Sequence, residues 1–546
     1  MLGFTNSAVQ QFLKDKMSNK KSTIKEEAVN SYDTLPYPPY SFPATHIGRL
    51  GAIGRVFGLT TVDPSKARVL ELGCGVGVNI MAMAQLFPEA EFVGIDSSKK
   101  QIDAGLKAVK VTGLKNVRLI EADFSNLDED LGKFDYIIVH GIYSWVPDSV
   151  KEAILRIGSK NLNPGGVTYV SYNCLPGWRM RGALRDMMLM HTAGIPDVLA
   201  KVAQSKALLK FLAESCAQET PYGKYLSQEL DLISKCDDSY IAHDFLETEN
   251  DALYFSDFLK AAAKEGLLYL GDAEPSTMVT DNLPAEAAKT LKSLNLNLLA
   301  TEQYIDFVRN RMFRSTLLCH KDAKLNRNID ATRLESLNIT SLIALKQSHK
   351  DGQPAVFVGV GGTELSVSEP ATAAIFEIIA KQGKASVSVK DVLAEALPVV
   401  SKLTKSTDEN AVKSLVGQVL IHGYFKKMLD FALGALSTCT TISENPLALP
   451  LARIQASEGL RISSNRLEML NADPYVAKLL TLCDGTRDKK ALIDAMSASL
   501  EKKEYQLNEN NQPITDAKRA KLVVERLYEG SIQNLTQLGL LVSKTS

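Results

Sequence analysis

Apolar and polar positions change period in a regular order along the first third of the chain. Val69 to Leu72 is an apolar run broken only by Glu71, and it ends in Gly73-Cys74-Gly75-Val76-Gly77. An apolar run stopped by clustered glycines predicts a short buried strand and a tight turn. Asn79 to Leu86 then reads as a helix, and Glu91 to Ile95 as a second strand ending in Asp96. Asn116 to Ile120 reads as strand 3 and Phe134 to Gly141 as strand 4. Asn163-Pro164-Gly165-Gly166 reads as a turn before strand 5, Val167 to Asn173. Strands alternating with helical stretches predict a parallel sheet with helices packed on it, an α/β fold.

Helical spacing dominates after strand 5, with a helical insertion expected at about 190–250. Tyr254 to Glu274 reads as helix, glycine turn and strand, a late pair of the same sheet. Residues 284–320 read as helical, and the cluster Arg309, Arg311 and Arg314 as a solvated helix face. Residues 374–429 and 476–545 both run helix, turn, helix, later helix, strand, which looks like winged-helix architecture. Residues 507–517 read as a polar loop. The division expected is 1–44, an N-terminal segment; 45–275, the sheet domain; 276–330, a helical middle region; 331–440 and 441–546, two winged-helix-like modules. A length of 546 residues suits roughly three or four domains of ~150 residues.

Composition narrows the class. Hydrophobic content is 45% and charge 23%, with a formal net charge of −1. No long basic run is present, so no nucleic-acid partner is expected. The seven cysteines form no C-x-x-C pair and read as reduced thiols, which points to the cytoplasm. The N-terminus lacks the apolar core of a signal peptide, and no stretch approaches the ~20 apolar residues of a membrane helix, so no membrane partner is expected. No metal-ligand spacing appears.

The glycine turn carries the chemistry. Glycines let backbone approach a ligand at a helix N-terminus, and an acid at the tip of strand 2, Asp96, can accept from two ribose hydroxyls. The spacing is G-x-G-x-G, not the G-x-G-x-x-G of dinucleotide sites, and Glu71 precedes it. This E-x-G-x-G-x-G run resembles motif I of class I S-adenosylmethionine-dependent methyltransferases. The resemblance implies a Rossmann-like sheet and S-adenosylmethionine as cofactor, with S-adenosylhomocysteine as product. It also implies a cofactor site of Glu71, Gly73, Cys74, Gly75, Gly77, Asn79, Asp96, Ser97, Ala122, Asp123, Phe124 and His140. In it Asp123 would bond the adenine amino group and Phe124 would pack near the ring. Asp135, before the apolar part of strand 4, reads equally as structural or functional.

The stretch LPYPPYSF, residues 35–42, contains the Pro-Pro-Tyr of the amino-group clamp of DNA methyltransferases. Three features oppose that reading. The clamp follows strand 4, where this chain has His140 to Pro147; no apolar strand precedes the prolines; and Tyr37 cannot supply the acceptor that Asn or Asp supplies. The four prolines instead favour extended backbone. The segment reads as a cover over the cofactor or as a linker, with Tyr37 and Tyr40 placed for substrate access. His46, just beyond, could reach the cofactor.

Longer strings resemble one bacterial family, methyltransferases with a methyltransferase regulatory domain, including rickettsial protein-lysine methyltransferases of outer membrane protein B. They are YDTLPYP (32–38), THIGRL (45–50), ELGCGVGVN (71–79), GIDSSKKQI (94–102), FDYIIVHGIYSWVP (134–147), VSYNCLPGW (170–178), QYIDFVRNRMFRSTLLCH (303–320) and CDGTRDKKAL (483–492). Two places depart from the family pattern: Gly77-Val78, where Gly-Gly is usual, and Ile47, where proline is common after the histidine. The resemblance implies a protein-lysine N-methyltransferase acting on a protein substrate, an outer-membrane or surface protein before export; the helical insertion suits dimer contacts, so a homodimer is expected. For the reaction the residues singled out are His140, Tyr143, Trp145, Tyr172, Asn173 and Trp178: the aromatic ones, in and after strands 4 and 5, suit a lysine channel or equally a plain hydrophobic lid, His140 reads equally as a structural histidine, and Asn173 as a substrate contact or a turn residue. Tyr169, deeper in strand 5, is expected to point elsewhere. A small-molecule methyltransferase with a C-terminal scaffold and a non-catalytic cofactor-binding protein stay open as alternatives.

Overall fold

A computed structural model of the chain describes residues 34–127, 131–329, 331–350, 352–434, 442–459, 461–509, 512–514 and 516–542. The reading of the first 33 residues as lacking a signal peptide, and Cys439, lie outside the described residues. The chain forms two compact units. The larger holds Pro39–Pro176 and everything from Asp251 on; the smaller joins Gly177–Asn250 to the described residues up to Pro38.

The larger unit is built on a seven-stranded sheet. Its strands are β1 (Arg68–Leu72), β2 (Glu91–Asp96), β3 (Val117–Glu121), β4 (Phe134–Val139), β5 (Leu162–Asn173), β6 (Leu267–Asp272) and β7 (Phe313–His320). Their order is β3-β2-β1-β4-β5-β7-β6. The first five pair in parallel. β7 runs antiparallel to both of its neighbours. Burial on both faces explains why β1 and β4 read as continuous apolar runs. The expected Asn163–Gly166 turn lies within β5, whose register shifts between its pairings at Phe134 and Tyr136.

Helices α1 (Ile47–Val56), α2 (Val78–Ala84), α3 (Lys99–Thr112) and α4 (Asp148–Lys160) accompany the parallel strands. α1 crosses β4 and β5 closely: a Cβ on Gly51 would sit 2.6 Å from the Tyr136 hydroxyl, and one on Gly54 3.6 Å from Val167 Cγ2. α4 covers the opposite face, where its Gly158 carbonyl accepts from Thr168 Oγ1 at 3.0 Å. Asp135 proves structural. Its carboxylate accepts from Arg68 N at 2.9 Å and from Asn163 Nδ2 at 2.8 Å, tying the starts of β1, β4 and β5 together.

The smaller unit consists of α5 (Trp178–Thr192), α6 (Val198–Ser215), α7 (Pro221–Ser234) and α8 (Asp238–Leu246). They enclose a core of their own that includes Leu184, Met188, Leu209, Leu226 and Phe245. Its helices begin at Trp178, not near 190, because helical spacing resumes directly after the end of β5. Tyr37 belongs here: its hydroxyl donates to Asp244 Oδ1 at 3.0 Å and its ring stacks on His243.

α9 (Phe255–Lys264) leads into β6, and α10 (Ala285–Ser293) and α11 (Leu298–Arg309) lead into β7. Here the sequence reading needs two corrections. FRSTLLCH is a strand in the middle of the sheet, not the end of a helix, so the sheet domain extends to His320 and a boundary at 275 would cut it. Asn310, at φ +47°, ends α11 in the left-handed conformation and lets the chain turn into β7. Nor do the arginines form a solvated face. Arg314 is fully buried, with Nη2 2.9 Å from Glu302 Oε2 and Nε 2.8 Å from Asp306 Oδ2. Arg311 pairs with Asp272 at 2.7 Å. Of the three only Arg309 is exposed.

Beyond β7 a three-stranded sheet (Ser386–Ser388, Leu337–Ser341, Leu429–Leu433) packs with helices Pro370–Lys381, Val389–Thr404 and Glu409–Phe425. Its core is continuous with that of the main sheet, and Asp430 pairs with Arg49 of α1 at 2.7 Å. An antiparallel meander over 344–367 belongs to this region and had no sequence expectation. The last module contains helix Pro450–Glu458, a hairpin of Arg461–Ser463 and Met469–Asn471, and helices Pro474–Leu482, Lys489–Glu501 and Ala517–Gln537. A final strand, Leu541–Val542, pairs with Leu447–Ala448. This C-terminal winged-helix domain has a separate core. Within the expected polar loop, Asn508–Glu509 and Gln512–Pro513 pair as a small hairpin.

Candidate functional site

The strand order reverses at β1, which lies between β2 and β4, and ligands of such sheets bind in the crevice beyond the carboxyl ends of the strands at that point. The glycine turn lines it. Gly77, at φ +80°, caps α2 in the left-handed conformation that favours glycine. A Cβ on Gly73 would fall 2.4 Å from Ile142 Cδ1, so the loops after β1 and β4 touch through that missing side chain. Asp96, at the tip of β2, accepts from Gly75 N through Oδ2 and from Ser98 N through Oδ1, both at 2.8 Å. Ser97 beside it is exposed, and Cys74 is partly buried. Ala122 N donates to the Asp96 carbonyl at 3.0 Å, bringing the loop after β3 alongside. Asp123 is exposed and its Oδ1 caps the following turn through Ser125 N at 2.9 Å, while Phe124 is buried.

Glu71 and Asn79 connect this turn to the N-terminal segment. Asn79 Nδ2 donates to Glu71 Oε1 at 2.8 Å, and its Oδ1 accepts from Phe42 N at 3.0 Å. Thr45 Oγ1 lies 3.0 Å from Asn79 Nδ2. The chain at Phe42 and Thr45 is thereby tied to the first turn of α2. Burial pushes the Glu71 carboxyl up to about 8, so near neutral pH it is the acid form. Its other oxygen, Oε2, is buried without a hydrogen-bond partner among the described residues. His46 does not reach into the crevice: its Nδ1 accepts from Gly48 N at 3.1 Å and caps α1. Burial holds it neutral, lowered to about 3.

His140 stands at the end of β4. Its Nδ1 lies 2.9 Å from the Tyr169 hydroxyl, which in turn lies 2.9 Å from Ser315 Oγ of β7. Phe42 packs on the imidazole with ring centroids 3.8 Å apart. Burial lowers the His140 pKa to about 4, so the ring is neutral. Tyr169 thus points at the site, contrary to expectation, and Tyr172 points away from it. The pleat decides both. Tyr169 and Ser171 share the face of His140, where Ser171 Oγ accepts from Gly141 N at 2.8 Å. Tyr172 lies on the opposite face, stacked on Phe258 of α9 at 4.2 Å, with its hydroxyl 3.1 Å from Thr316 Oγ1. Tyr143 joins that buried group, 5.2 Å from Phe258.

Trp145, in the turn Tyr143–Trp145, is partly exposed beside this group. Asn173, at the end of β5, is 4% exposed, and its Nδ2 has no hydrogen-bond partner among the described residues. Ser144 Oγ accepts from Asn173 N at 2.9 Å, and Leu253 N donates to the Asn173 carbonyl at 3.0 Å. Trp178 lies in the smaller unit, where its Nε1 donates to Asn250 Oδ1 at 2.8 Å and Arg181 lies over its ring. Sequence reasoning missed Phe42 and Ser144, and it set Tyr169 aside. The alternation of β5 held the signal for Tyr169; nothing local marked the other two.

The donor set fits an adenosyl cofactor. It offers an acid at the tip of β2, close backbone approach at the glycine turn, and the buried Glu71 Oε2, which has no hydrogen-bond partner among the described residues. Among the described residues no cluster could hold a metal ion, and no helix is long and apolar enough to cross a membrane.

Comparison with known proteins agrees. Residues 63–231 match a methyltransferase domain, 237–320 the family described as "Predicted methyltransferase regulatory domain", and 444–540 the PKMT C-terminal winged helix domain. An uncharacterized protein of Rickettsia prowazekii is 33% identical over 524 residues, 94% of each chain. A second from that organism is 43% identical over 243 residues, covering 44% of this chain and 97% of that one. The structure of PKMT2 from Rickettsia typhi in complex with AdoHcy matches with a TM-score of 0.81 at 32% identity, over 93% of this chain and 100% of that one. The chain belongs to the class I methyltransferases that carry a methyltransferase regulatory domain and a PKMT winged-helix domain, enzymes that take their methyl group from S-adenosylmethionine.

Proposed function

We propose that this methyltransferase modifies the ε-amino group of lysine in a protein substrate. The observation that carries the reading is full-length likeness to PKMT2, joined to a winged-helix domain of the PKMT type at the C-terminus. S-adenosylmethionine, when bound, supplies an electrophilic methyl group. Gly73, Gly75, Gly77 and Asp96 would hold it, with Asp123 and Phe124 at the adenine end and Glu71, Asn79 and His140 toward the methyl end. The protein's part is then positional. Asn173 offers a buried amide N–H at the end of β5, and Trp145 an aromatic face beside it that can hold a cationic amine. His140, neutral and fixed by Tyr169, accepts a hydrogen bond without taking the proton, so the lysine ammonium loses its proton to water before reaction. Tyr143 and Tyr172 support these groups from behind through Phe258. The division at 331–440 and 441–546 into two winged-helix-like modules is retained as a proposal.

A cytoplasmic site of action, before export of the substrate, fits the reduced cysteines. A homodimer is supported by large apolar side chains left exposed on the smaller unit, among them Met190, Leu199 and Phe211 at 58%, 52% and 54%. The test of lysine specificity is incubation with methyl-labelled S-adenosylmethionine and bacterial lysate, followed by hydrolysis of the protein fraction. Label is expected on methyl-lysine; label only in the small-molecule fraction would remove the lysine reading. For the cofactor site, Asp96→Ala is expected to abolish measurable S-adenosylhomocysteine binding by calorimetry. Unchanged affinity would remove the ribose assignment. Asp96→Asn, which can keep one bond to the turn, separates loss of ligand contact from collapse of the loop.

A further inference from the structure

The C-terminal module grips the cover directly. Ser41 Oγ lies 3.0 Å from Ser463 Oγ, 3.0 Å from the Leu467 carbonyl and 3.3 Å from Met469 Sδ, and Ser41 N donates to the same sulfur at 3.4 Å. Ser41 is 2% exposed and Ser463 fully buried. Ser463 is itself fixed by Gln455, which accepts from its N–H at 2.7 Å and donates to its Oγ at 3.0 Å. Tyr40, one residue earlier, hydrogen-bonds to Arg461 and lies beneath its guanidinium. A second tie joins the module to α2, where Gln85 Oε1 accepts from Leu451 N at 3.1 Å. The segment is extended at Phe42, with φ −128° and ψ 111°. Successive side chains of an extended segment point to opposite sides. Ser41 therefore enters the module while Phe42 covers His140.

We propose that the C-terminal module completes the methyl-transfer site in cis, with Ser463 and Met469 as positioning residues that hold Ser41 and, through it, the Phe42 ring on His140. The inference rests on the reading of His140 as part of the methyl end of the site. It gives the module a role in catalysis distinct from recognising substrate. Nothing in the local sequence around Ser463 signals it, because its partner lies more than four hundred positions away in the chain.

The experiment uses the full chain labelled with 13C at histidine Cε1, with His140 assigned by His140→Gln. Saturation of the wild type with S-adenosylhomocysteine comes first and is expected to move the His140 resonance. An unmoved resonance overturns the reading of His140, whatever the module does. Next, Ser463→Val is compared with Ser463→Thr, since the two differ only in the hydroxyl. The valine variant is expected to shift the ligand-free His140 resonance, through loss of the Phe42 ring current, and to weaken S-adenosylhomocysteine binding about 3- to 10-fold, the scale of one lost hydrogen bond. Threonine should restore both. Ser41→Ala, made from the other side of the contact, should act like valine and covers the case in which Ser463→Val does not fold. Lys521→Ala, elsewhere in the same module, is expected to change neither readout. If Ser41→Ala and Ser463→Val leave resonance and affinity as in the wild type, the module does not position the cover and the proposal fails.

Discussion

Glu71 shows how far one side chain can depart from its motif's usual reading. A carboxyl before the glycine turn suggests a charged group, yet burial holds it as the acid, up to about 8 against an ordinary 4.5. Between those values the folded chain keeps a proton that the unfolded chain releases. Stability from this group is therefore complete below pH 4.5 and is lost as pH rises through 8. Glu71→Gln keeps the acceptor for Asn79 and mimics the acid form. Relative to this variant, the wild type is expected to lose melting temperature steadily from pH 5 to 8, and parallel profiles would show that Glu71 is already ionised. His140 has the opposite sign: lowered to about 4 from 6.5, it costs stability as pH falls below 6.5, in both proteins equally. Tyr169 and Tyr172 carry a second lesson of this scale. Both were visible as aromatic residues near a site, and only the pleat of β5 determined which one faces His140.

At the scale of elements, β7 is the feature that periodicity missed. Its sequence, FRSTLLCH, carries an arginine where a central strand should be apolar, so it read as the end of a helix with a charged face. The structure resolves the conflict by burying the partners too. Burial alone would lower the Arg314 pKa, but Glu302, Tyr269 and neighbouring groups hold the guanidinium well above its ordinary value. Glu302 and Asp306 sit one turn apart on α11 and reach it together. Arg314→Ala would leave Glu302 buried with only the Tyr269 hydroxyl and Asp306 with only the 3.6 Å ion pair to Arg311, at an expected cost of about 3–5 kcal/mol in urea unfolding. Arg309→Ala, at an exposed position of the same cluster, should stay within about 0.5 kcal/mol. Equal effects would mean that the network adds no stability. Existence and order of β1 to β5 were legible because each is a short apolar run between turn residues. β7 was not, because its charge is neutralised by residues that approach only in three dimensions.

For the whole molecule, the larger unit links the glycine turn, the segment at Ser41–Phe42 and the last module through short contacts: Glu71 to Asn79, Asn79 to Phe42, Ser41 to Ser463. A ligand that stabilises one link should protect the others. Hydrogen exchange with and without S-adenosylhomocysteine is expected to slow in residues 39–50 and 71–79, and also in the hairpin 461–471. Protection confined to the glycine turn would show that the links do not transmit binding. The smaller unit has its own core, so its exchange is expected to follow its own stability.

The sequence by itself determined the parallel strands, the glycine turn, Asp96 at the tip of β2 and the kinship that names the reaction. All are local: a period of apolar residues, a spacing of glycines, strings of adjacent residues. Tertiary structure alone decided the rest. It placed β7 between β5 and β6, turned Arg314 inward, pointed Tyr169 at His140 and Tyr172 away, and fastened Ser41 to Ser463 and Phe42 to Asn79. Each depends on which side chain meets which across long separations in the chain. That is set by burial and hydrogen bonding in the packed molecule, not by the pattern of any one segment.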